Sequence, residues 1–169
     1  MRVGLISDTH GLLREEALAF LWGCDHIIHA GDIGGPEILD APATIAPVIA
    51  VRGNNDTDAW ASELPEVLQL QLGSKSVYVL HDMAQLAEPL PAGIAIVICG
   101  HSHRAIVQRR EGVLYVNPGS AGPRRFNLPI SVAELIIRKN AVTPHIISLD
   151  VAATTRRRTR QVSSQHSFI

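Results

Sequence analysis

Three short apolar runs, at residues 2–7, 26–29 and 48–51, each break off into a polar cluster, and the segments between them have helical character. The clusters are Asp8-Thr9-His10-Gly11, Ala30-Gly31-Asp32 and Gly53-Asn54-Asn55-Asp56. Residues 12–22 set Leu13, Ala17, Leu18 and Leu21 at helical spacing, with Glu15 and Glu16 in the first turn, where carboxylates suit the positive end of the helix dipole. A shorter helix is expected around residues 35–39. Strand–helix–strand order implies a parallel sheet, whose functional groups gather at the carboxyl ends of its strands. The three polar clusters should therefore meet along one edge.

From about residue 66 the pattern changes. Runs 67–72 and 75–80 flank Gly73-Ser74, the spacing of a tight hairpin, and the second ends at His81-Asp82. Residues 94–99 form an apolar run that reads as a buried strand and leads into Gly100-His101-Ser102-His103. Further hairpins are expected between 105–109 and 113–116, turning at Glu111-Gly112, and between 131–137 and 142–149, turning at Lys139-Asn140. The loop 117–125 is rich in residues that need unusual backbone angles. The second half should thus be mostly antiparallel, giving an α/β chain with two sheets face to face and helices outside.

Composition limits the alternatives. The 169 residues, 46% apolar and 18% charged, can bury a substantial core. We read residues 1–150 as one domain and 151–169, with Arg156, Arg157, Arg158 and Arg160, as a basic, disordered tail. Residues 1–150 hold eleven Lys and Arg against sixteen Asp and Glu, a net of −5, which argues against nucleic acid as the partner of the folded body. No uncharged apolar run approaches the ~18 residues of a membrane span, and the N-terminus offers no signal-peptide cleavage site. Two cysteines, Cys24 and Cys99, cannot build a disulfide framework and fit buried thiols in the cytoplasm.

The polar groups at the strand ends are Asp8, His10, Asp32, Asn54, His81, His101 and His103. Carboxylate, imidazole and amide oxygen are ligands for borderline and hard divalent cations, and no thiolate is among them. An isolated His-x-His is more often a pair of loop histidines. Here its two side chains, spaced i and i+2, have five partners elsewhere. One ion takes about four to six ligands, so seven groups plus water suit two ions sharing a bridge.

The order Asp8-x-His10, Gly31-Asp32, Gly53-Asn54-x-Asp56, His81 and Gly100-His101-x-His103 resembles the calcineurin-like metallophosphoesterase superfamily, and the opening Leu5-Ile6-Ser7-Asp8-Thr9-His10-Gly11 resembles its small prokaryotic phosphodiesterases. The resemblance implies a four-layer αββα sandwich of two mixed β-sheets flanked by helices. It further implies that Asp8, His10 and His103 hold one metal, that Asn54, His81 and His101 hold a second, and that Asp32 bridges them with a hydroxide on the opposite side. Such a pair of cations suits attack of that hydroxide on phosphorus, with no protein nucleophile. Manganese is the first choice of metal, with nickel, iron, zinc or magnesium as alternatives.

Two positions depart from the superfamily's pattern. Asn55 stands where many members have a histidine assigned to the phosphate or leaving group; it can donate a hydrogen bond but not a proton, which favours substrates whose leaving group departs easily. Asp82 follows His81 where glycine is frequent, and reads as a helix-start carboxylate or as support for a ligand. Asp56 is expected to orient His10 or Asn54. Arg124 could clamp a phosphate oxygen or be an exposed loop arginine. His26 and His29 read as core histidines, with His29 near enough to Asp32 to support it; Trp22, Trp60 and Cys99 read as packing residues.

Two functions compete. One is a metal-dependent phosphoesterase, foremost a phosphodiesterase, with a monoesterase or nuclease as variants; its partner is a small phosphoester, and self-association is left open. The other is a non-catalytic interaction scaffold on the same fold, as in a retromer coat subunit. A scaffold has no reason to keep histidines at 10, 81, 101 and 103 together.

Overall fold

The computed structural model describes residues 1–139 and 141–151. Asn140, part of an expected turn, and the tail from residue 152 onward, including its four arginines, lie outside the described residues.

Two five-stranded mixed sheets pack face to face. The first is built from β1 (Arg2–Ile6), β2 (His26–His29), β3 (Val48–Ala50), β9 (Ser131–Arg138) and β10 (Ala141–Ser148), in the order β10-β9-β1-β2-β3. Here β1, β2 and β3 run parallel, and β9 and β10 add an antiparallel edge. The second contains β4 (Val67–Leu72), β5 (Lys75–Leu80), β6 (Ile94–Ile98), β7 (Ile106–Arg110) and β8 (Val113–Asn117), in the order β4-β5-β6-β8-β7.

Strand alternation explains the layers. Val3 and Leu5 of β1 turn inward and meet Val77, Val79, Ile96, Ile98, Leu114 and Val116 of the second sheet in one buried cluster. Ile6, on the opposite face, packs with Ala17 and Leu21 of α1 (Glu15–Leu21). α2 (Glu37–Ala43) buries Ile38 beside Ile33 and Ala50. Outside the second sheet, Tyr78, Leu80 and Val97 are covered by Met83, Leu86 and Leu90, carried on a loop with a 3-10 turn at Met83–Gln85. No helix among the described residues is long and apolar enough to cross a membrane.

Three expectations are corrected. α1 is shorter than residues 12–22, and α2 begins later than residue 35 and runs further. The second sheet is also less antiparallel than its hairpins imply. β5, β6 and β8 run parallel, and only the edge pairs β4–β5 and β7–β8 are antiparallel. The β7–β8 hairpin inserts its second strand beside β6 and leaves the first at the edge, a choice that pairing within a hairpin does not encode.

Candidate metal centre

The carboxyl ends of β1, β2, β3, β5 and β6 converge, and backbone hydrogen bonds tie the loops that follow them. Asp8 N donates to Gly31 O (3.0 Å), His10 N to Asp32 O (2.9 Å), and Gly100 N to His81 O (2.9 Å). Close approach needs glycine at two of these points. Gly31 has φ +90°, and a Cβ there would lie 2.7 Å from His81 Nδ1; a Cβ on Gly100 would collide with Ser7 Oγ. Among the described residues, eight non-glycine residues have positive φ, and five of them are Asp8, His10, Asp32, His101 and His103, at 46° to 66°. Such backbone costs about 1–3 kcal/mol per residue, and it turns these side chains toward one another.

Two overlapping sets of donor atoms result: Asp8, His10 and His103, and Asp8, Asp32 and His81, each with its atoms within 4.8 Å of one another. In the first, His10 Nε2 and His103 Nε2 face each other at 3.2 Å, and His103 Nε2 lies 3.3 Å from Asp8 Oδ1. Burial lowers the pKa of both imidazoles, His103 to about 4, and the nearby Arg125 guanidinium lowers them further, so both rings are neutral at pH 7. Ser7 Oγ donates to Asp8 Oδ2 (2.7 Å), which leaves Oδ1 turned toward the histidines.

Asp8 is common to both sets, and Asp32, a member of the second, also faces a histidine of the first. Its Oδ2 is 3.7 Å from His10 Nε2 and 3.4 Å from His81 Nε2. Asn55 grips the same carboxylate, donating its backbone N–H to Oδ1 (2.9 Å) and its side-chain amide to Oδ2 (2.6 Å). Burial alone would raise the Asp32 pKa, but His81 and Asn55 hold it well below the usual carboxylate range. His81 donates Nδ1–H to Ala30 O (2.7 Å), the backbone bond that fixes the tautomer of a ligating histidine. Burial would lower the pKa of His81; Asp32 and the Ala30 carbonyl more than offset it. On the open side, His101 Nδ1 lies 2.9 Å from Asn54 Oδ1, and the His101 ring stands edge-on to His81 at 5.3 Å.

The donor set fits divalent cations. Asp8 is fully buried, yet its Oδ1 has no hydrogen-bond partner, and neither has His81 Nε2. Burial lifts the Asp8 pKa to about 6, a sign that its charge is under-compensated by protein groups alone. Neutral imidazoles, buried carboxylates and an amide oxygen are the ligands that borderline and hard divalent ions take.

Residues 1–140 match the model of the calcineurin-like phosphoesterase superfamily domain. The chain belongs to the calcineurin-like phosphoesterase superfamily. It is 32% identical over 142 residues to the "Probable metallophosphoesterase" of Methanothermobacter thermautotrophicus, covering 76% of this chain and 82% of that one. Its fold is similar to that of an archaeal phosphodiesterase (TM-score 0.72, 20% identity, 87% of this chain and 100% of that one). A second solved neighbour is Vps29 of Entamoeba histolytica in complex with Zn2+ (TM-score 0.68, 22% identity, 88% and 99% covered).

The structure brings all seven strand-end groups of this superfamily member to one place, redirects the expectation for Asp56, and agrees with one of the two readings given for Arg124 and for Asp82. Asp56 acts on His10 through its charge only, and its buried carboxylate accepts from the backbone N–H groups of Ile33 (2.9 Å), Gly34 (2.9 Å) and Gly53 (2.7 Å), clasping the Asp32 and Asn54 loops together. Arg124 and Arg125 are both exposed loop residues, and the charge of Arg125 lowers the pKa of His10 and His103. Asp82 starts a 3-10 turn, its Oδ1 accepting from Ala84 N (2.9 Å), while its Oδ2 lies 3.8 Å from His101 Nε2.

His29 is the core histidine expected. Gly31 N donates to its Nδ1 (3.2 Å), so the ring proton sits on Nε2 and donates to Thr9 Oγ1 (2.8 Å), which itself donates to Ile33 O. Burial depresses its pKa to about 3. Asn117 was missed in the sequence. Its amide donates to Gly100 O (2.6 Å) and Ser102 Oγ (3.1 Å), and its Oδ1 accepts from Gly119 N (2.8 Å), locking the histidine loop to β8. The one available signal was its place at the head of the Asn117-Pro118-Gly119 turn.

Proposed function

We propose that this chain is a two-metal phosphodiesterase of the cytoplasm, with residues 1–150 as the catalytic unit. The observation that carries the reading is the position of Asp32 Oδ2, within 4 Å of His10 Nε2 on one side and His81 Nε2 on the other, as expected of a carboxylate shared by two ions. In this reading Asp8, His10 and His103 hold one ion, Asn54, His81 and His101 hold the other, and manganese is the preferred metal. When bound, two divalent cations would lower the pKa of a shared water and offset the charge that builds on phosphorus.

The chain's own residues then have distinct tasks. Asn55 keeps the Asp32 carboxylate oriented and ionised. Arg125 supplies a cation beside His10 and His103 that suits a phosphate oxygen. Asn55 holds no proton to give, so diesters with good leaving groups are the favoured substrates. Kinship to an archaeal phosphodiesterase fold supports diesters over monoesters. The buried, free thiols of Cys24 and Cys99 support a reducing compartment.

The test is hydrolysis of bis-p-nitrophenyl phosphate by the purified chain with Mn2+. Activity is expected to appear on metal addition and to fall at least about a hundredfold in Asp32→Asn and in His103→Ala. Full activity in either variant would overturn the assignment, and metal content near zero after Mn2+ loading would favour the scaffold.

A further inference from the structure

Beside the candidate metal centre, a cleft of about 240 Å³ runs between the His101 loop and the exposed edge strand β7. His101 and Asp82 are its near wall, so it opens directly from the ligand cluster. Ile106, Gln108 and Arg110 alternate along β7 and share the face that lines it. Their register opposite Asn117, Tyr115 and Val113 of β8 sets the direction. Asn117 is bonded to Gly100 and Ser102, so Ile106 lies at the metal end; Arg110, four residues on, lies about 13 Å away.

The chemistry changes along this path. Near the ligands stands an acceptor, the Asp82 carboxylate, whose Oδ2 lies 3.8 Å from His101 Nε2. Apolar and aromatic surface follows, from Ile106, which is 42% exposed, at the metal end, to Met83 and Tyr115. The far end is a donor. The Arg110 guanidinium lies 5.6 Å over the Tyr115 ring and is held by one bond to Gln108 Oε1 (2.8 Å), out of the five N–H groups such a fork carries.

We infer that this cleft seats the organic group of the substrate, and that the group is a nucleoside. The proposal rests on the phosphodiesterase reading and names its substrate class. A phosphate at the metal ligands puts the attached sugar beside Asp82, which would accept from a hydroxyl. The flat base would then lie along Ile106, Met83 and Tyr115 and reach Arg110 and Gln108 with its ring acceptors. An acyl chain or plain aryl group would cover Asp82 and Arg110 without pairing them, which is costly. Asp82 Oδ1 is taken up by the start of the 3-10 turn, and its Oδ2 has a use in this arrangement.

Two chromogenic diesters with the same leaving group provide the test: the p-nitrophenyl ester of thymidine 5′-phosphate and methyl p-nitrophenyl phosphate, with the full Mn2+-loaded chain. The nucleotide ester should be turned over with a kcat/KM about tenfold or more higher. Arg110→Gln and Ile106→Trp, both at exposed positions of the edge strand, should raise KM for the nucleotide ester alone. Binding of 5′-AMP, followed by calorimetry, should weaken in the same variants. Equal turnover of both esters, with variants that change neither KM nor AMP affinity, would overturn the nucleoside site while leaving the phosphodiesterase standing. AMP binding that Arg110→Gln weakens, in a chain that cleaves neither ester, would support the site and overturn the phosphodiesterase.

Discussion

Asn55 directs both of its donors to Asp32, and that geometry makes it a positioning residue in the proposed centre. Outer partners of metal ligands typically cost 10–100-fold in affinity when removed, and Asn55→Ala should weaken Mn2+ binding by about that factor, measured by calorimetric titration. Unchanged affinity would mean that Asp32 is held without it. The ligands themselves were legible because residue type and order announce them. The roles of Asn55, Asp56 and Arg125 were not: Asn55 and Asp56 act on groups 22 or 23 residues away, on another strand's loop. Neighbouring arginines on one loop are equivalent in sequence, and nothing in the residue order says that the charge of Arg125, next to Phe126 with its φ of +53°, reaches His10 and His103.

At the scale of elements, hydrophobic alternation announced ten strands and three hairpins, while strand order in the second sheet stayed hidden because hairpins fix partners only within themselves. The first sheet is pinned by one cross-strand cluster. Arg2 on β1 pairs with Glu134 on β9 (2.6 Å) and donates to the carbonyls of Phe20 and Trp22 at the end of α1, while His145 on β10 holds the other Glu134 oxygen (3.1 Å). Burial works to raise the Glu134 pKa, but the bonds from Arg2 and His145 prevail and lower it. A carboxylate whose folded pKa is depressed adds stability that is fully present above its unfolded pKa, about 4.3, and is lost as pH falls through the lower folded value. Glu134→Gln should therefore melt below the parent at pH 6, and the gap should shrink as the pH falls below about 4. A gap independent of pH would assign its origin to packing.

Across the whole molecule, the sandwich assembles a site whose metal-free form works against folding. Asp8 is buried with an unpartnered oxygen, and it shares left-handed backbone with four other candidate ligands. Those costs are borne by the core between the sheets, and a cation bound only to the folded state would offset them. At a hundred times its Kd such an ion stabilises by about 2.7 kcal/mol, or roughly 5–10 °C in a chain of this size. Mn2+ should therefore raise the melting temperature of the EDTA-treated chain by about that amount. Asp8→Asn separates the causes, because asparagine tolerates the left-handed backbone, can keep the bond from Ser7 and buries no charge. Its metal-free form should melt at or above the parent's temperature, and Mn2+ should raise it by clearly less than it raises the parent, since only the second ion keeps its ligands. Calorimetry of both proteins with and without Mn2+ decides the matter: a variant that melts lower without metal, yet still gains the full Mn2+ increment, would show that Asp8 supports the fold and does not hold the ion.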